Sequence, residues 1–308
     1  MPRDAPFRTV LALMVSAMAI LAVQDALVKV ISESVSIWQF NIVRSILVLG
    51  MLTAYCMVVR PVGGLSLAAP GWALLRAALM VSAFVLFYGA LPFVSLSQAA
   101  ATFFTAPLFT AMIGMALGGE RVDGMRVGAL AAGFSGVLLI VRPWSDAPEV
   151  MTLLALGGAL CYAGASALTR LRLRDDPVIA LTGIQNILYL QVALAALVAI
   201  DMLRPTATDG FAFLLTGWRS ANGIAWALLA VTAITQTVGA ILLTRVYQVG
   251  ESSRVAPLEY VYLPMVAGID LLIWGTIPDA MTFAGMALIV LAGMLVRGSG
   301  EATTPRNP

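Results

Sequence analysis

Long apolar runs and brief polar interruptions alternate along the whole chain, and the runs have the length of helices rather than strands. About 20 apolar residues in a helix cross a hydrocarbon core of about 30 Å. Such runs are read over residues 9–32, 37–59, 71–91, 95–117, 124–141, 150–169, 178–200, 222–244, 255–275 and 281–296. The longest polar interruption extends from Asp201 to Asn222, and no segment has the character of an extramembrane domain. The first run follows Arg3 and Arg8, is too long for a cleaved leader and lacks a small-residue cleavage site after it, so it is expected to stay in the membrane.

A cut near residue 148 leaves five runs on each side. Because five is odd, a second copy of the unit enters the membrane from the opposite side. The predicted fold is therefore all-α integral membrane, with ten transmembrane helices in two inverted five-helix repeats, 9–142 (helices 1–5) and 150–297 (helices 6–10). Inverted bundles of this kind place a substrate site near the midplane between them. Local likenesses support the repeat. Asp25-Ala-Leu-Val-Lys29 answers to Ser166-Ala-Leu-Thr-Arg170, and Gly128 and Gly136 answer to Gly285 and Gly293 at the same separation. The turn Glu120-Arg-Val-Asp123 answers to Thr276-Ile-Pro-Asp279.

Composition removes the soluble alternatives. The 308 residues are 60% hydrophobic and 11% charged, against roughly 25% charged in a soluble domain, and mean hydropathy is +0.94. With the N-terminus inside, the inner loops and tails hold Arg3, Arg8, Arg60, Arg121, Arg126, Arg170, Arg172, Arg174, Arg245, Arg254, Arg297 and Arg306, and the outer loops hold Arg142, Arg204 and Arg219. That asymmetry predicts both termini in the cytoplasm. The net charge of +2 is spread over loop edges and forms no nucleic-acid patch. Histidine is absent, Cys56 and Cys161 lie in separate runs, and no Gly-x-x-x-x-Gly-Lys-Ser/Thr loop occurs. Histidine triads, zinc, a disulfide framework and nucleotide cradling are set aside, and no cofactor is expected.

The order Asp25…Lys29, Arg44, Arg76, Ala99-Ala-Ala-Thr…Ala-Pro107-Leu-Phe, Glu120-Arg, Gly133-Phe-Ser-Gly136-Val and Arg142-Pro143 resembles the first half of an EamA-type member of the drug/metabolite transporter superfamily. Ala256-Pro257-Leu-Glu259-Tyr260, Pro278-Asp279 and Gly285-Met-Ala-Leu-Ile289 resemble the second half. The resemblance covers nearly the whole chain. It implies ten helices, a central cavity and alternating access without ATP hydrolysis. Within the superfamily the Asp…Lys and Pro-Leu-Glu-Tyr features are similar to those of carriers of amino acids, S-adenosylmethionine or riboflavin.

Charges inside a membrane cost at least about 2.5–3.5 kcal/mol each on insertion scales, so they fall at paired or functional positions. Asp25 and Lys29 stand one turn apart on one helical face; they form either an internal ion pair or part of a substrate site. Lys29 is the sole lysine among 18 basic residues, a compact ammonium where the chain otherwise uses arginine. Arg44, at similar depth, suits a two-pronged grip on a carboxylate or a salt bridge with Asp25 or Glu33. Arg76 is read as reaching the headgroups. In run nine, Glu259 and Asp270 are eleven residues apart and fall on one helical face, with Tyr262 beside them. Pro264 between them is expected to kink the backbone. Glu259 is the candidate for proton coupling, and Asp270 is read as hydrated near the outer end.

Neutral polar stripes complete the picture: Gln98, Thr102 and Thr105; Gln185, Asn186 and Tyr189; Thr232, Thr235 and Gln236; with Phe84, Phe87 and Tyr88 as aromatic walls. Singly these read as helix–helix glue, and together as a polar cavity with apolar walls. The expected substrate-binding set is Asp25, Lys29, Arg44, Tyr88, Gln98, Thr102, Gln185, Asn186, Gln236, Glu259 and Tyr262. Runs five and ten, with small residues at Gly128, Ala132, Gly136, Gly285 and Gly293, are expected to pack closely within the bundle or across a homodimer. The reading is a secondary-active carrier of the bacterial inner membrane, with the proton as a candidate coupling ion, moving small polar or zwitterionic, amino-acid-like metabolites. Its alternative is uptake of a larger metabolite such as S-adenosylmethionine or riboflavin. An intramembrane enzyme acting on lipid is a remote third, lacking any recognisable catalytic constellation.

Overall fold

The structure, a computed structural model, describes residues 7–59, 66–116, 124–144, 150–173, 175–206, 210–249 and 256–301. Among these residues every regular element is a helix. In order they are α1 (Phe7–Ile31), α2 (Ile37–Val59), α3 (Pro70–Ala90), α4 (Leu96–Phe103), α5 (Ala106–Ala116), α6 (Gly124–Val141), α7 (Thr152–Arg172), α8 (Val178–Leu203), the single turn α9 (Ala212–Leu215) and α10 (Gly223–Val249). A 3-10 segment, Ala256–Val261, then leads into α11 (Tyr262–Trp274), and α12 (Ala280–Glu301) follows. The Glu120–Asp123 turn lies outside the described residues, as do Arg3, Arg60, Arg121, Arg174, Arg254 and Arg306.

Six helical stretches among the described residues are long and apolar enough to cross a membrane: Arg8–Ile31, Ile37–Val58, Pro70–Ala90, Leu96–Ile113, Thr152–Thr169 and Val178–Leu203. Val127–Val141, Gly223–Gly239 and Ala280–Leu295 are shorter apolar stretches. Large apolar side chains such as Met57, Val58, Met202, Ile224 and Leu272 point outward, as a lipid-facing surface requires. The protein is a multi-pass membrane protein.

Two of the expected spans are interrupted, each for a local reason. Run 95–117 is two helices with a turn at Phe104 and Thr105. Pro107 lies in the first turn of α5, where its missing N–H costs nothing; within one continuous helix it would have removed the bond to the Phe103 carbonyl. Thr105 Oγ1 closes the turn by donating to the Thr102 carbonyl at 2.7 Å. Run 255–275 changes from 3-10 to α geometry at Tyr262. Pro264 sits in the first turn of α11 rather than at a kink, and Glu259 and Asp270 lie on two different segments instead of one helical stripe.

Packing follows a regular plan. α3 lies along α7 and α1 along α10; α2 pairs with α8, α6 with α12, and α4 with α11. The α6–α12 seam is the closest. A Cβ added at Gly136 would meet the Gly285 carbonyl oxygen at 2.6 Å, and one at Gly285 would meet the Gly136 oxygen at 2.6 Å. Gly293 sits against Tyr260, whereas Gly128 faces open space and takes no part in the seam.

The C-terminal ends of α1 and α11 and the N-terminal ends of α4 and α12 meet at one face of the bundle. The N-terminal end of α1, the C-terminal end of α12, the start of α3 and the end of α7 meet at the other, called here the termini face; the first is the far face.

Candidate functional site

Helix α1 brings Gln24, Asp25 and Lys29 to the far half of the bundle. Asp25 sits where three helices meet. Its Oδ1 accepts a hydrogen bond from the Tyr88 hydroxyl of α3 at 3.1 Å, and its Oδ2 accepts one from the Tyr262 hydroxyl of α11. Next to it Gln24 Nε2 donates to the Tyr88 hydroxyl at 3.0 Å and to Gln236 Oε1 of α10 at 2.8 Å. Gln24 is 2% exposed, and its Oε1 has no hydrogen-bond partner. A buried acceptor of this kind is uncommon in native proteins and calls for an explanation. Asp25, Tyr88, Gln236 and Tyr262, four of the residues expected at the site, thus form one network, and Gln24 completes it.

Aromatic rings surround this network. The α4–α5 turn puts Phe103 and Phe104 on opposite walls. Phe103 lies 4.9 Å from Phe87, 6.0 Å from Phe84 and 5.4 Å from Tyr162 of α7, centroid to centroid. Phe104 stacks on Tyr262 at 5.5 Å with an interplanar angle of 18°. Phe84 and Phe40 also flank Tyr88, at 5.9 and 5.6 Å. Phe84, Phe103 and Tyr162 remain partly exposed. Such rings prefer offset or edge-to-face neighbours at 4.5–7 Å.

Arg44 on α2 is 5% exposed and lies between rings, its guanidinium carbon 4.8 Å from the centroids of both Phe40 and Tyr189. It donates to Asn41 Oδ1 at 3.1 Å. A guanidinium over aromatic faces is stabilised by the ring quadrupole. The expected salt bridge to Asp25 or Glu33 does not form.

Lys29 does not pair with Asp25. Its Nζ is 3.9 Å from Asp270 Oδ1, donates to the Val94 carbonyl at 2.9 Å and lies 4.7 Å over the Trp274 ring. Asp270, expected to be hydrated, is fully buried. It accepts from the backbone N–H groups of Leu96 and Ser97 at 3.1 and 2.7 Å, so a carboxylate of α11 caps helix α4. The far-face end of α4 is further fixed by a capping box: Gln98 N donates to Ser95 Oγ at 3.1 Å and Ser95 N donates to Gln98 Oε1 at 3.0 Å.

That cap occupies Gln98 structurally and separates it from the central network. Thr102 Oγ1 donates to the Gln98 carbonyl of its own helix, and Asn186 Nδ2 to the Thr182 carbonyl of its own. Gln185 Oε1 accepts from Arg76, whose Nε also donates to Thr169 Oγ1 at 2.8 Å. Arg76 therefore ties α3 to α7 and α8 instead of reaching for headgroups. Glu259 lies half-buried on the 3-10 segment against α1.

The sequence reading missed Gln24, Phe103, Phe104, Tyr162, Trp274 and the role of Asp270. Phe103-Phe104 carried a usable signal, since Pro107 cannot bond the Phe103 carbonyl and so marks a place where the span can turn.

An ion pair at the far-face end completes the geometry. Arg142, at the end of α6 with φ 49°, donates to both carboxylate oxygens of Asp279 and to Thr282 Oγ1. Asp279 also accepts from the Thr282 N–H at the start of α12. The Arg142 hydrogen bond, then the Thr282 backbone bond, hold the Asp279 carboxyl down at about 2.

Residues 8–142 match the model of the EamA-like transporter family. The chain is 27% identical over 225 residues to a riboflavin transporter of Vibrio cholerae, covering 72% of this chain and 70% of that protein. It is 30% identical over 220 residues to a riboflavin transporter of Rhizobium johnstonii, covering 71% and 67%. A pseudopaline exporter of Pseudomonas aeruginosa is 30% identical over 163 residues, covering 51% and 50%. One solved crystal structure superposes with a TM-score of 0.57 at 16% identity, over 93% of this chain and 94% of its own, a likeness of fold alone.

Proposed function

Because the chain belongs to the EamA-like transporter family, we propose that it is a secondary-active carrier that moves a flat, ring-bearing polar metabolite of the riboflavin kind by alternating access. One observation carries this reading: a set of partly exposed aromatic faces, Phe84, Phe103 and Tyr162, adjoins a polar network on Asp25, Gln24 and Gln236. Apolar walls with a few placed donors and acceptors make a small-molecule site. Two relatives are named riboflavin transporters, which agrees with a planar cargo.

The amino-acid-like reading rests on Arg44 or Lys29 for a substrate carboxylate. Both cations already have partners, Arg44 among Phe40, Tyr189 and Asn41 and Lys29 on Asp270. The larger, aromatic cargo is therefore preferred. Of the expected site residues, Asp25, Tyr88, Gln236 and Tyr262 are assigned to the cargo network, with Arg44 behind Tyr88. Lys29, Gln98, Thr102, Gln185 and Asn186 are assigned to holding the helices in place.

In this reading the ten spans form two inverted repeats, 9–142 and 150–297. The packing plan supports it: exchanging first with sixth, second with seventh, third with eighth, fourth with ninth and fifth with tenth spans turns the α3–α7 pair into the α1–α10 pair and leaves α2–α8 and α6–α12 unchanged. Both interrupted spans, fourth and ninth, are partners under the same exchange. Discontinuous helices at the midplane are where carriers of inverted design hold their cargo. Arginine distribution supports cytoplasmic termini in an inner membrane, with the far face outward.

The decisive experiment is uptake into proteoliposomes, with riboflavin followed by its fluorescence and an amino-acid mixture by mass spectrometry. Riboflavin accumulation is expected, and Phe103→Ala should weaken it about fivefold, the loss of roughly 1 kcal/mol of ring contact. Uptake confined to amino acids would return the reading to the zwitterionic cargo.

A further inference from the structure

We infer that Asp25 is the proton-exchanging carboxyl of the transport cycle, and that taking up a proton reverses or releases one of the two hydrogen bonds it accepts from the two halves of the bundle. The inference rests on the carrier reading above and assigns its coupling partner.

Hydrogen-bond capacity carries the argument. An ionised carboxylate only accepts, whereas a protonated one carries a single O–H that must find an acceptor. In the structure one carboxylate accepts from Tyr88, of the first half, and from Tyr262, of the second. Adding a proton converts one of its oxygens into a donor. The hydroxyl facing that oxygen must then turn away or exchange roles. Gln24 supplies the acceptor that this second state needs: its buried Oε1 has no partner, and its Nε2 already bonds the same Tyr88 hydroxyl. The network therefore has two hydrogen-bonded arrangements that differ by one proton, and only in the ionised one does Asp25 accept from α3 and α11 together.

The surrounding charges set Asp25 apart from Asp270 and Asp279. From α3 and α11 the titratable groups facing it are Tyr88 and Tyr262, and α10 presents the neutral Gln236. The 3-10 segment against α1 carries Glu259 and Tyr260. Arg44 of α2 stands behind Tyr88, 6.0 Å from its ring. One turn along α1, Lys29 is paired with Asp270. Asp270 is held by two backbone N–H groups and Lys29, and Asp279 by Arg142. Protonating either of those would break an ion pair, whereas Asp25 has no cation within ion-pair distance among the described residues.

The test uses the full-length protein in lipid nanodiscs and liposomes. Infrared difference spectroscopy across a pH titration, with no substrate present, should show the carbonyl stretch of a carboxyl that disappears in Asp25→Asn. Tyr262→Phe should shift the midpoint of that band while the protein stays folded. In liposomes, Asp25→Asn should lose riboflavin accumulation driven by a proton gradient, and whatever exchange it retains should no longer vary with pH. A titrating band that survives in Asp25→Asn but vanishes in Glu259→Gln overturns the inference, as does gradient-driven accumulation in Asp25→Asn with the wild-type pH profile. Should no ring-bearing solute be transported, the carrier reading falls, and the infrared band still decides whether Asp25 exchanges protons.

Discussion

The far face and the termini face of this bundle are held together by different chemistry. At the far face, charged and capped links join segments distant in the chain. Lys29 pairs with Asp270, Asp270 caps α4, Arg142 grips Asp279, and Trp38 Nε1 and the Arg219 N–H reach across to the Leu214 carbonyl and Gln39. At the termini face the described links include single hydrogen bonds and a cation–ring contact. Asp176 accepts from the Ala68 N–H at 2.7 Å, Arg76 bonds Thr169, and Arg172 lies over Trp72. In the carrier reading the far-face links form a door, with the Asp25 network just beneath it.

The sharpest way to break that comparison is Asp270→Ala. It would strand the buried N–H groups of Leu96 and Ser97 and leave Lys29 without its counter-charge. Removing one partner of such a buried set costs about 3–5 kcal/mol, which should appear as a large loss of thermal stability in the purified protein. Adding Lys29→Met should cost less than the sum of the two single changes. Unaltered stability in Asp270→Ala would mean that the far face is not held closed by this lock.

A milder change sharpens the same point. Lys29→Met keeps the Asp270 cap on α4 but removes the ammonium. In a variant with Cys56 and Cys161 replaced by serine, a cysteine at Ser97 reports opening through its reaction with an impermeant maleimide from the far side. If the closed state loses about 1.4 kcal/mol, the open fraction and the labelling rate rise about tenfold. At the termini face Asp176→Ala should cost about 1 kcal/mol, the loss of its hydrogen bond to Ala68, with no increase in far-side labelling.

The smallest effect belongs to Arg142 and Asp279, which are solvent-accessible at the membrane edge. The Asp279 carboxyl is depressed from 3.8 to about 2, so its contribution is complete above about pH 4 and disappears as pH falls through 2. Half-exposed ion pairs of this kind contribute under about 1 kcal/mol. Arg142→Ala should therefore lower thermal stability slightly at neutral pH and reduce the wild-type decline between pH 4 and pH 2. An unchanged decline in that window would assign it to other carboxylates.

Span positions were legible because an apolar run long enough to cross a membrane leaves little choice of element. The ends of α2 and α6 fall where the pattern put them. The interruption of the fourth span was legible only in part, since Pro107 shows that a helix cannot pass unbroken but not where the turn closes. Partner choice was the least legible. Asp25 and Lys29 are one turn apart, and that spacing permits an ion pair without requiring it. Tertiary packing offered Lys29 a carboxylate, a carbonyl and an indole face at once, and offered Asp25 two phenols. Gln98 reads as cavity lining along the sequence, yet its place three residues after Ser95 makes it one half of a cap. Asp270 shows the converse: a carboxylate near a helix end looks hydrated until another helix start is brought against it.

Lys29 is the sole lysine of the chain, and it sits within the far-face lock. Apart from the chain's own amino terminus, the whole bundle presents a single amine to acylating reagents. That amine lies on the Trp274 indole, with its side chain 14% exposed. Bulk amine chemistry on this protein therefore has one side-chain target: the fluorophore an activated ester places on Lys29 would report from the door itself, and the rate of its attachment would time the door's opening.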